Sequence, residues 1–293
     1  MREKLLLLLG TGAALGLNFP LGKLALASGV NPALWACFIS LGAGLALLCI
    51  TAFTEAKPPH ASPMMKFALI SGFVSYVVPN FLTFLVIPKI GSGLAAIMFA
   101  LSPVVTALLS IIFRVRPPNF LGLAGIALGL AGAVVIIAYR EVNLAVAQNN
   151  WIFVAVLIPL FLGIGNIYRT MAWPTGATPR SLAARTNLAA VPFLLALTLV
   201  QTGTINLAPL AGIPLLALAQ LAVSTTMFLM FFKLQQAGGP TYLSQIGYVA
   251  AAVGVLAGLI FFHETYPLGV WLGAAIIAAG IGLSTLGQIR QPH

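Results

Sequence analysis

Ten apolar runs, each about as long as a bilayer is thick, fill nearly the whole of this chain. They lie at about 5–27, 32–54, 64–87, 91–113, 118–138, 151–172, 178–200, 210–233, 238–262 and 266–288. A helix needs roughly twenty apolar residues to cross a membrane, and none of these runs alternates in the manner of a barrel strand. Lipid offers no hydrogen bonds, so an apolar segment must satisfy its backbone internally, which commits each run to helix. Short turn-forming breaks divide them: Asn31-Pro32, Lys57-Pro58-Pro59, Pro117-Pro118, Gln148-Asn149-Asn150, Pro174 to Pro179 and Gly238-Gly239-Pro240. No room remains for a soluble domain. The expectation is an all-α integral membrane protein, with ten transmembrane helices in a single membrane domain over 1–293.

Composition supports this and closes other routes. Sixty per cent of residues are hydrophobic and 6% charged, against about a quarter charged in soluble domains. The four acids are Glu3, Glu55, Glu141 and Glu264, and aspartate is missing. The net charge of +10 reflects that shortage of acids, and the fourteen cations are dispersed, so no basic groove for nucleic acid is expected. Cys37 and Cys49 stand about 18 Å apart along one helix and cannot pair within one chain. Leu5 to Leu9 after Arg2 and Lys4 resembles a secretory leader, with Ala25-Leu26-Ala27 as a cleavage-like site. The segment is expected to stay as the first helix, because its loss would remove the partner of a later segment.

That partner comes from an internal repeat. Gly91, Phe113, Gly125 and Gly132 return 148 residues later as Gly239, Phe261, Gly273 and Gly280, and Asn18 returns as Asn166. The repeats run about 1–140 and 149–288. Five spans is an odd number, so the second copy must enter from the opposite side. Charge agrees. With a cytoplasmic N-terminus, eleven cations (Arg2, Lys4, Lys57, Lys66, Arg114, Arg116, Arg169, Arg180, Arg185, Lys233 and Arg290) fall inside, and Lys23, Lys89 and Arg140 outside. Both termini are then cytoplasmic. The break Arg114 to Pro118 is inside, and its mate His263 to Pro267 outside. Two inverted five-helix repeats are an architecture used for alternating access to a site at their interface.

Ser102-Pro103-Val104, the Gly125…Gly132 and Gly273…Gly280 spacings, and His263-Glu264 resemble the drug/metabolite transporter superfamily, in its EamA-type ten-helix branch. Within it, Phe73-Val74-Ser75-Tyr76 and Ile246-Gly247-Tyr248 look most like amino-acid exporters of the YddG type. Relatives often carry an arginine near Ser40 and an acid-arginine pair where this chain has Arg116-Pro117, and roles of those charges are not carried over. The resemblance implies a secondary transporter, usually an exporter of small metabolites, in a bacterial inner membrane.

Polar residues that share helical faces, with Phe99 beside them on the fourth span, mark a candidate substrate cavity: Asn18, Tyr76, Asn80, Phe99, Ser102, Asn166, Gln220, Ser244, Gln245 and Tyr248. Helix–helix hydrogen bonding is the other use of such residues. Pro20, Pro79, Pro103, Pro159 and Pro192 fall inside spans, as kinks or hinges. The glutamates and His60, His263 and His293 lie at span ends, in loops or in tails, so no buried proton relay, metal site or cofactor is expected. Lys23 and Arg169 read as cations snorkelling to headgroups. Function then points to neutral or zwitterionic solutes, with amino acids, including aromatic and hydrophobic ones, in front. A substrate carboxylate would meet donors such as Asn166 or Gln245. Drug-like or lipid-linked metabolites are the alternative within the class. An enzyme is not expected, because a chain without aspartate or paired histidines lacks the usual catalytic clusters. A channel, and monomer against homodimer, stay open.

Overall fold

The computed structural model describes residues 2–54, 61–139, 149–262 and 267–289. The breaks at 55–60, 140–148 and 263–266, and with them Glu55, Lys57, His60, Arg140, Glu141, His263 and Glu264, lie outside the described residues, as do Met1 and 290–293. The chain is all-α. Its helices are α1 (Arg2–Ala27), α2 (Pro32–Thr54), α3 (Ala61–Gly72), α4 (Val78–Ala100), α5 (Ser102–Ile112), α6 (Phe120–Tyr139), α7 (Asn149–Met171), α8 (Pro179–Thr202), the short α9 (Ala208–Ala211), α10 (Pro214–Ser244), α11 (Ile246–Phe262) and α12 (Leu268–Ile289). A π-helical turn, Phe73–Val77, joins α3 to α4. The eighth span starts at Pro214 instead of 210, because Ala208–Ala211 forms its own turn.

Local chemistry places the ends. Asn31 Oδ1 accepts from the N–H groups of Ala33 and Leu34 and caps α2 ahead of Pro32. Thr178 Oγ1 caps α8 in the same way through Ser181 N–H, ahead of Pro179. Gly239 adopts φ 74°, a left-handed value that favours glycine, and divides α10 into two limbs. Between α4 and α5 the reversal is legible from contacts. Tyr76 and Ser102 line one cavity, yet they would stand about 39 Å apart on a straight helix. The chain therefore doubles back between them.

Prolines mark the interruptions. Pro79 lacks an N–H and its ring crowds the carbonyl four residues back, and the π-turn sits immediately ahead of it. Pro103 follows the interruption at Leu101 for the same reason. The matching interruption in the second half is at Gln245, between α10 and α11. The two broken spans cross where Phe99 meets Gly247: a Cβ on Gly247 would collide with the Phe99 carbonyl. These two positions are 148 residues apart.

Other close contacts also join the two halves. Helices α6 and α12 run antiparallel, with Gly125 against Gly280 and Gly132 against Gly273. Each of these positions is the repeat mate of its partner's counterpart. Gly16 packs on Val253 between α1 and α11, and Gly163 packs on Val105 between α7 and α5. The α6 and α12 glycines at 125, 132, 273 and 280 thus serve close packing inside one chain. Large apolar side chains such as Phe53, Phe120, Phe153, Val200 and Leu215 stay exposed around the bundle, as a surface solvated by lipid requires.

Candidate functional site

A cavity of about 50 Å³ lies between the two halves, bounded by α1, the π-turn, α4, α5, α7, α10 and the start of α11. Six of the ten residues expected at a site line it: Tyr76, Asn80, Phe99, Ser102, Asn166 and Ser244. Each arrives there for a local reason. The π-turn carries Ser75 and Tyr76 inward ahead of Pro79. The interruption at Leu101 turns Ser102 toward the second half, where its Oγ donates to the Ser244 carbonyl at 3.4 Å. Phe99 stacks edge-on against Phe19 at 5.3 Å, and the Tyr76 ring lies 4.7 Å from Phe228. The wall is therefore aromatic and apolar, with a few polar groups set into it.

The other four serve elsewhere. Asn18 and Gln220 stand behind the cavity wall: Gln220 Nε2 donates to Asn18 Oδ1 and to Ser224 Oγ, and Asn18 Nδ2 reaches Met227 Sδ at 3.4 Å. Gln245 donates to Ser284 Oγ at 2.7 Å, and Tyr248 donates to the Ile126 carbonyl at 2.8 Å with its ring on Gly129. Both tie α10 and α11 to the α6–α12 pair. The expected common face of Thr241, Ser244, Gln245 and Tyr248 assumes one continuous helix, and the interruption at Gln245 rotates its two ends apart.

Arg169 corrects a second expectation. It does not snorkel to a headgroup: its side chain is fully buried. Its Nη2 donates to Asn166 Oδ1 at 2.5 Å and its Nε to Gln235 Oε1 at 3.3 Å, and the guanidinium lies 4.8 Å over the Phe231 ring. Both amides are held with oxygen toward the arginine. Asn166 Nδ2 is engaged by Thr106 Oγ1, and Gln235 Nε2 by the Asn166 carbonyl and Thr170 Oγ1. Gln235 was not anticipated at all. The readable signal was Asn166 and Arg169 three residues apart on one helix face.

No group of three or more potential metal ligands occurs among the described residues. Cys37 is buried and Cys49 exposed, and both are free.

Residues 3–138 match the EamA-like transporter family. Among curated proteins, the chain is 26% identical over 257 residues to the uncharacterized inner membrane transporter YedA of Escherichia coli K12, covering 86% of this chain and 81% of that one. It is 30% identical over 140 residues to a WAT1-related protein of Arabidopsis thaliana, covering 45% and 39% of the two chains. A protein of known crystal structure superposes with a TM-score of 0.66 at 18% identity, over 96% of each chain.

Proposed function

Given that this chain is an EamA-type member of the drug/metabolite transporter superfamily, we propose that it carries small neutral or zwitterionic solutes by alternating access, with amino acids, aromatic and hydrophobic ones included, as the leading class. The single observation behind this is the cavity. Its wall is shared between the two halves, it is aromatic with few polar groups, and it lies beside the crossing of the two interrupted spans at Phe99 and Gly247. In this reading the halves are inverted five-helix repeats of about 1–140 and 149–288, a polarity that the antiparallel α6–α12 contact supports. Export across a bacterial inner membrane, with both termini cytoplasmic, completes the proposal.

A drug-like or lipid-linked substrate has one feature in its favour, an apolar cleft of about 580 Å³ lined by Leu5, Leu9, Val249 and Ile277 among others. That cleft shares no lining residue with the central cavity.

The test is uptake of labelled amino acids into liposomes containing the purified protein, with competition across a metabolite panel. Saturable uptake that amino acids inhibit supports the proposal. Flux that ignores amino acids but is blocked by lipid-linked or cationic compounds overturns it, and ohmic conductance without saturation would make the protein a channel.

A further inference from the structure

Arg169 is a fully buried cation with no carboxylate counter-charge among the described residues. The contacts of its guanidinium are two amide oxygens and an aromatic face, and no carboxylate reaches it among the described residues. Its position in the last turn of α7 sets it against the helix's negative pole, which offsets only part of the charge. An uncompensated buried ion is costly, and an apolar side chain of similar volume would suit a purely structural position better.

The unused donors of this region converge. A guanidinium has five N–H groups, and the amide contacts occupy Nε and Nη2, leaving Nη1 without a partner. Ser75 Oγ and Tyr76 Oη, both buried, also lack partners. Gly165 shows how close two of these lie: Ser75 Oγ occupies the space that a Cβ on residue 165 would need, and Arg169 Nη1 is 3.3 Å from that same point. Ser75, Tyr76 and Asn166 all line the cavity. Arg169 itself stands behind the wall, in contact with the lining residues Asn166 and Phe231, and the residue 148 positions before it is Leu21, so this charge has no equivalent in the first half. The Asn18–Gln220 cluster behind the opposite wall is neutral.

We infer that Arg169 Nη1, Ser75 Oγ and Tyr76 Oη form a receptor for a substrate carboxylate, so that the transported solute must carry one. Asn166 and Gln235 act as positioning residues that hold the guanidinium fork. The apolar body of the solute then lies toward Phe99 and Phe228, and a cationic solute lacking a carboxylate is repelled. This rests on the transport reading above and sharpens its substrate class. It replaces Asn166 and Gln245 as the expected carboxylate donors.

The test uses three isosteric probes, L-phenylalanine, L-phenylalaninamide and 3-phenylpropionate, read in two assays: thermal stabilisation of purified protein and inhibition of proteoliposome uptake. The two acids should stabilise the wild-type protein and the amide should not. Arg169→Gln, Ser75→Ala and Tyr76→Phe should weaken the acids by about tenfold to a hundredfold, as expected for charge-assisted hydrogen bonds, and leave the amide unchanged. Equal action of amide and acids on the wild-type protein overturns the carboxylate receptor while leaving transport standing. Acid-dependent stabilisation without flux of any probe supports the receptor and refutes transport. Should Arg169→Gln fail to fold, the wild-type comparison and the two milder variants decide.

Discussion

Adding one methyl group at Gly280 should separate the helices that lock the two halves together. A Cβ there would stand 2.6 Å from Gly129 N, 2.7 Å from Gly125 O and 3.0 Å from Gly129 Cα. Ordinary contacts between heavy atoms lie at about 3.5–4.0 Å, so α6 and α12 must part by about 1 Å. These obstacles are backbone, and no side-chain rotation relieves them. Overpacking of this kind costs about 1–3 kcal/mol, and the better helix propensity of alanine returns at most about 1 kcal/mol. The net loss of about 0–2 kcal/mol should lower the melting temperature of Gly280→Ala by up to about 8 °C. Gly282, two residues on, has nothing within 4 Å of its Cβ position. Gly282→Ala should therefore melt at or above the wild-type temperature. Both would be followed by thermal melting of detergent-purified protein. If Gly280→Ala melts no lower than Gly282→Ala, the close antiparallel contact is wrong, and with it the seam between the repeats.

Tyr248→Phe should cost about 1 kcal/mol of stability through loss of the bond to the Ile126 carbonyl, with the half-saturating concentration of substrate unchanged in uptake assays. Gln235→Glu would place a carboxylate at the oxygen that now lies 3.3 Å from Arg169 Nε. It should abolish inhibition by 3-phenylpropionate, because the arginine then has an internal counter-ion. An imposed pH gradient should not drive accumulation of L-phenylalanine in proteoliposomes, since the one acid among the described residues, Glu3, is exposed in the first turn of α1 and the other acids and the histidines fall at span ends, in loops or in tails of the sequence. Accumulation that tracks the gradient would show a proton relay.

Much of the fold was written along the chain. Asn31-Pro32 and Thr178-Pro179 open helices wherever they occur, because a side-chain oxygen meets an unpaired N–H and proline needs none. The glycines at 125, 132, 273 and 280 stood out by their 148-residue offset, but that they meet each other across α6 and α12 came only from the structure. The site was half legible. Tyr76, Asn166 and Ser244 reached the cavity, whereas Tyr248 and Gln245, on what looked like one face with Ser244, turned to α6 and α12.

Sequence by itself settled that this chain is helical and that lipid is its solvent, since those follow from apolar length and scarce charge. Only the tertiary structure decided which polar groups face the cavity, because that depends on the rotation of each helix. A π-turn before Pro79 and interruptions at Leu101 and Gln245 reset those rotations. The fate of Arg169 belongs to the same class. Near the end of a span, a cation reads alike whether it reaches water or is buried, and the choice was made by Gln235, brought beside it from another helix.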